Sequence, residues 1–190
     1  LSKVNFNSMN VTPSASKAIK FNSSNNGLET GDLGGSLVLI STQTASSSST
    51  IDFTSGIDST YKEYIFKCIE MHPATDGAEL TFQVDTGTNT SYNQTITSAF
   101  FRAYHQESGT DAAVTYQTSY DLAQSTNFQT LSRDSGNDND QCCSGTLHLF
   151  DPSNSTFVKH FMATFNTTTQ DNQQHNSYAS GYVNTTTALT

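Results

Sequence analysis

Charge is scarce in this chain. Charged residues make up 13% of its 190 positions, about half of the roughly 25% found in an ordinary globular domain. Cations are scarcer still, with 8 Lys and Arg against 17 Asp and Glu and a formal net charge of -9. That leaves no electrostatic footprint for phosphate groups, so neither nucleic acid nor an anionic membrane surface is an expected partner. Long apolar runs are missing as well. The longest, Leu37-Val38-Leu39-Ile40, has the length of a strand and falls far short of the ~20 residues that span a bilayer. Leu1 to Asn10 shows no basic start followed by an apolar core, so no signal peptide is expected there, and an extracellular destination would be reached by particle assembly and lysis. The three cysteines, Cys68, Cys142 and Cys143, are an odd number and do not make a disulfide framework.

In place of charge the chain carries Ser, Thr, Asn and Gln, together with 12 Phe and 8 Tyr. The aromatics separate it from a disordered polar chain, and its length suits one domain of ordinary size. Residues 1–35 read as an extended N-terminal arm or anchor, ending in Gly27, Gly31, Gly34 and Gly35. Its apolar pulses, Val4 with Phe6 and Ile19 with Phe21, suit docking onto a neighbouring subunit. A strand pair packed on its own domain is the alternative for this region.

Residues 36–190 read as a β-sandwich domain. Short runs of β-branched and aromatic residues recur between Gly, Asn, Asp and Ser clusters. The spans expected to be strands are Ser36–Thr42, Thr50–Thr54, Tyr61–Met71, Glu79–Asp85, Asn93–His105, Ala113–Tyr120, Gly145–Phe150, Thr156–Asn166 and Tyr178–Asn184. Leu80, Phe82 and Val84 alternate with Thr81, Gln83 and Asp85, which predicts one buried face and one wet face. Phe157, Phe161 and Phe165 alternate with Val158 and Met162, and Tyr64 and Phe66 with Ile65 and Ile69, so both faces of these strands carry apolar groups. Apolar outer positions are what subunit contacts cover, which points to an oligomer. Helix signals are weak, and one short helical turn is expected at Ser119–Ser125. The fold class is all-β, a jelly-roll-like antiparallel β-sandwich.

Few residues suggest chemistry. The loop Asp134-Ser135-Gly136-Asn137-Asp138-Asn139-Asp140 gathers hard oxygen ligands, making Asp134, Asp138 and Asp140 weak calcium candidates, although the EF-hand spacing is absent and a solvated hairpin loop is the favoured reading. No other cofactor is expected. Adjacent Cys142 and Cys143 fit a vicinal disulfide, a soft metal site or two plain thiols; without CxxC spacing, zinc is disfavoured. The five histidines sit on separate elements, and no GxSxG occurs, so no triad is indicated. His148 is expected on the outer face if Leu147 and Leu149 point inward. Tyr92, Tyr120, Phe128, Tyr178 and Tyr182 lie in amide-rich surroundings, and the four tyrosines are candidates for stacking on sugars.

Several segments together carry a resemblance. Leu1-Ser2-Lys3-Val4-Asn5-Phe6-Asn7 with Asn10-Val11-Thr12-Pro13, Phe53 through Tyr64, Met71-His72-Pro73, Leu122-Ala123-Gln124-Ser125, Leu147 through Ser153 and Phe157-Val158-Lys159-His160-Phe161 resemble small virion structural proteins of marine tailed phages, including cyanophages. The resemblance implies a non-enzymatic protein of the particle surface, a tail fibre, appendage or capsid decoration, assembled as a homo-oligomer of three-fold symmetry with other virion proteins as partners. It also implies a further apolar strand after Thr190. A carbohydrate-binding receptor module is the alternative, and a secreted hydrolase a more distant one.

Overall fold

The structure, a computed structural model, describes residues 11, 12, 14, 17–31 and 37–190. The chain divides into two compact units, Leu1–Thr42 and Gln43–Thr190.

In the first unit, β1 (Ala18–Phe21) and β2 (Leu28–Gly31) form an antiparallel hairpin. Asn22 organises the turn: its Oδ1 accepts from the Asn26 amide at 3.1 Å and its Nδ2 donates to Asn26 Oδ1 at 2.9 Å, while Asn25 takes the left-handed conformation that Asn tolerates (φ 54°). Lys20 and Glu29 face each other across the ladder at 3.4 Å. Ile19 and Phe21 share one face with Leu28 and are exposed. Val4 and Phe6 lie outside the described residues.

The second unit is an antiparallel sandwich of eight strands, β3 (Glu63–Met71), β4 (Ala78–Phe82), β5 (Ile96–Gln106), β6 (Ala112–Tyr116), β7 (Gln129–Ser135), β8 (Cys143–Phe150), β9 (Lys159–Thr168) and β10 (Gln173–Val183). Six of them form one sheet in the order β3-β8-β9-β10-β5-β6, and β4 with β7 forms a second sheet laid on its inner face. The period of two decides which residues turn inward. On β9 Phe161, Ala163, Phe165 and Thr167 are buried and Met162 is exposed; on β8 Leu147 and Leu149 are buried, which sends His148 to the outer face. Tyr64 and Phe66 likewise face in, leaving Ile65 outside. The core joins Phe100, Phe161 and Phe165 to Ile96, Leu149 and Val183. Phe82 of the small sheet meets Phe161 edge-on at 4.9 Å between ring centres.

Several expectations are corrected. Residues 37–42 and 50–54 form no strand, and Leu37, Val38, Leu39 and Ile40 are all exposed. Among the described residues no helix occurs. Ser119–Ser125 instead leaves a turn closed by Tyr120 N to Gln117 O and pairs back through Ser125 to Ile96, because Ser98 and Thr97 of β5 offer partners to its backbone. Phe157 precedes β9 and is exposed, since Asn154 caps the backbone of Thr156 and Phe157 outside the ladder. Asp85, expected on a wet face, is buried. It follows the last ladder position of β4, and its carboxylate turns in to organise the loop after it.

Strand β7, Gln-Thr-Leu-Ser-Arg-Asp-Ser, carries no apolar alternation yet is mostly buried. Its hydroxyls find partners across the sandwich, with Ser132 Oγ 2.6 Å from Thr167 Oγ1. Hydrogen bonding between the layers removes the cost that burial of polar groups would otherwise carry. At the outer edge, β3 breaks register between Cys68 and Met71, with Glu70 at φ 52° and its amide bonded to Ser144 Oγ at 2.9 Å. Such a bulge twists an edge away from further pairing.

Candidate functional site

On the outer face of the six-stranded sheet aromatic and polar side chains meet. Cross-strand partners share a face, so the ladder places Tyr178 of β10 beside Phe101 of β5, and Phe101 beside Tyr116 of β6. The Phe101 and Tyr178 rings lie parallel, 4.7 Å between centres and 11° apart in plane. Phe101 and Tyr116 keep 41% and 55% of their surface exposed. Polar groups fix the rim: Asn176 Nδ2 donates to the Tyr178 hydroxyl at 2.6 Å, and the Tyr116 hydroxyl donates to Asp121 at 2.6 Å. The bond to Asp121 raises the Tyr116 pKa above its ordinary value.

Tyr182 stands on the same face of β10, tilted against His160 at 6.2 Å. Beyond His160 a groove of about 540 Å³ opens between Phe150, Phe157 and Val158. A smaller hollow of about 170 Å³ adjoins it at His148 and Met162. His148 Nδ1 pairs with Glu63 across the β3–β8 ladder at 2.7 Å. Among the described residues no Ser, Thr or Cys side chain is hydrogen-bonded to a histidine.

The four tyrosine candidates do not converge. Tyr178 and Tyr182 share the outer face, whereas Tyr120 packs inward on Phe100, 5.6 Å between ring centres, beneath the Arg133 guanidinium. Tyr92 lies in the loop after β4, its amide held by Asp85 at 2.8 Å. Phe101 and Tyr116, absent from the sequence-based set, complete the surface. Their only signal is membership of strands whose outward positions are aromatic.

Asp85 is the anchor of that loop. Desolvation pushes its pKa up, but the amides of Tyr92 and Thr86 and the side chains of Gln94 and Asn89 outweigh this and hold it below the usual carboxylate range.

The calcium candidates are not assembled into a site. Asp134 lies in β7 and pairs with Arg133, while Asp138 and Asp140 sit in the exposed loop beyond. At the base of this loop Gln141, buried, accepts from Asp138 N at 3.2 Å and donates to Asn172 Oδ1 at 3.2 Å. Among the described residues no three His, Cys, Asp or Glu side chains come together as a metal-holding group. The cysteines are free thiols. Cys143 turns into the core and Cys142 does not, and burial raises the pKa of Cys143 above its ordinary value. No protein-family model, curated protein or solved structure matches the chain.

Proposed function

We propose that the chain is a non-enzymatic structural protein of a phage particle surface, a tail fibre, appendage or capsid decoration, held by its N-terminal unit and displaying the sandwich outward as a homo-oligomer, a trimer. The observation that carries this reading is the apolar surface of the first unit. Leu37, Val38, Leu39 and Ile40 are 63%, 60%, 82% and 47% exposed, and Phe21 is 72% exposed. Four consecutive apolar side chains left in water cost free energy that burial against a neighbour recovers, at about 25 cal/mol per Å². The second unit builds its core from its own residues, a buried cluster from Ile96 to Leu189 with Phe66 and Phe82 packed against it. An uncharged hydroxyl and amide surface supports the same reading.

The test is the mass and symmetry of the purified assembly together with its position on intact particles by electron microscopy. A three-fold assembly at capsid or tail sites is expected, and removal of residues 1–42 should abolish incorporation while the remaining domain folds. A monomer found away from particles would overturn the proposal.

A second reading, a carbohydrate-binding module, rests on the parallel Phe101 and Tyr178 rings beside exposed Tyr116. Pyranose rings stack on such a surface through their C–H faces, and Asn176 and Asp121 stand ready to bond hydroxyls. Replacing Tyr178 with Ala should then abolish retention on a glycan array without loss of the folded state.

A further inference from the structure

The sequence contains two arginines, Arg102 and Arg133, and the fold brings them near enough for the charge of Arg133, after burial, to help lower the Arg102 pKa. Arg102 points to the inner face of β5, and Arg133 approaches from β7 in the opposing sheet. Each lies over a tyrosine ring: Arg102 Cζ is 4.6 Å from the centre of Tyr104, and Arg133 Cζ 4.8 Å from that of Tyr120. One carboxylate, Asp134, pairs with Arg133, and Gln117 Oε1 accepts from Arg133 Nη1 at 3.1 Å. Among the described residues Arg102 forms no ion pair; its Nη1 meets the imidazole of His175 at 2.5 Å.

Three buried polar atoms here have no partner: Nε of Arg102, Nε of Arg133 and Oγ of Ser177. Ser177, 1% exposed, is the ladder partner of Arg102 on the same inner face. Buried donors of this kind are rarely left unmade, and guanidinium N–H groups match an oxyanion best. The chain is otherwise strongly acidic, so pairing its only arginines against a single carboxylate runs counter to its electrostatics unless an anion completes the set. The pair is not sealed off, because the Arg133 side chain keeps 17% of its surface in solvent.

We propose that Arg102, Arg133 and Ser177 form a binding site for a small oxyanion, a carboxylate or sulfate group, supplied either as a free ion or as the acidic substituent of a saccharide. His175 contributes no charge at neutral pH. Burial, then Arg102, then Arg133 push its pKa down to about 3, so the neutral imidazole accepts a hydrogen bond from Arg102 without competing for the anion.

The experiment is titration of the folded protein with sulfate, acetate and glucuronate at constant ionic strength set by sodium chloride, read from the arginine Nε–H resonances by NMR. Saturable movement of both Nε–H signals is expected with at least one probe. Arg133→Gln should weaken binding about tenfold or more, the scale of one charge-assisted hydrogen bond. Ser177→Ala, which removes one oxygen without changing the fold, should weaken it severalfold and keeps the test valid if the arginine variant does not fold. Glucuronate binding above acetate would identify a saccharide source, and equal binding a free ion. Absence of saturation with all three probes, or equal movement in sodium chloride alone, would overturn the proposal.

Discussion

The ring of Phe165 lies over Gly145, its partner across the β8–β9 ladder, so closely that a Cβ added to the glycine would stand 2.5 Å from the Phe165 ring and 2.4 Å from the Thr164 carbonyl oxygen. A phenylalanine fully inside the core is accommodated because its neighbour has no side chain. Gly145→Ala should therefore destabilise the protein by about 1–3 kcal/mol, the usual cost of overpacking. Chemical denaturation measures it, and adding Phe165→Leu in the same chain should recover part of the loss, a coupling that independent sites would not show.

Acid should weaken the fold well above the carboxylate range. His175 is buried with its pKa pushed down to about 3, against ~6.5 in the unfolded chain. Between those values the unfolded state binds the extra proton, so this contribution is fully present above ~6.5 and is lost as pH falls toward 3, by on the order of 5 kcal/mol at most. Asp85, held below its ordinary value by its hydrogen bonds, loses its contribution only at still lower pH, below about 4. Denaturation midpoints should drop between pH 6.5 and 4, and His175→Gln should flatten that slope; an unchanged slope in the variant would assign the effect elsewhere.

The Phe101 and Tyr178 stack is exposed and should add little to stability. A double-mutant cycle with alanine at both positions is expected to return a coupling of about 0.5–1.5 kcal/mol. A far larger value would mean that the rings are structural and would weaken the case for a sugar-stacking surface.

Lys159 is fully buried and its ammonium donates to the carbonyls of Phe157 at 2.9 Å and Thr185 at 3.2 Å. It ties the start of β9 to the segment that follows β10. Lys159→Met keeps the volume but leaves both carbonyls unpaired, at a cost of about 1–3 kcal/mol. Hydrogen exchange should quicken first at Leu189 and Thr190, whose amides bond to Pro152 O and Asp85 O.

Much of the sandwich was legible because alternation is a local property. Leu147 and Leu149 announce an inward face and send His148 out, and Phe161 and Phe165 do the same for Met162. Strand β7 was not legible, since Ser132 and Thr167 justify each other's burial only across two sheets. Hydropathy misled in the opposite direction at Leu37–Ile40, an apolar run that has the composition of a strand and no ladder to join. For the outer face, Tyr178 and Tyr182 could be proposed from their residue type. Phe101 and Tyr116 could not, because which aromatics share a face depends on the β10-β5-β6 pairing.

The sequence by itself determined the all-β class, the inward and outward sense of most strands, and a surface built from hydroxyls and amides, because each follows from composition or from a period of two along the backbone. Only the tertiary structure decided the strand order, the burial of β7 and Asp85, and the meeting of Arg102 with Arg133. Those depend on contacts between residues far apart in the chain, and their free energy appears only once both partners have left water together.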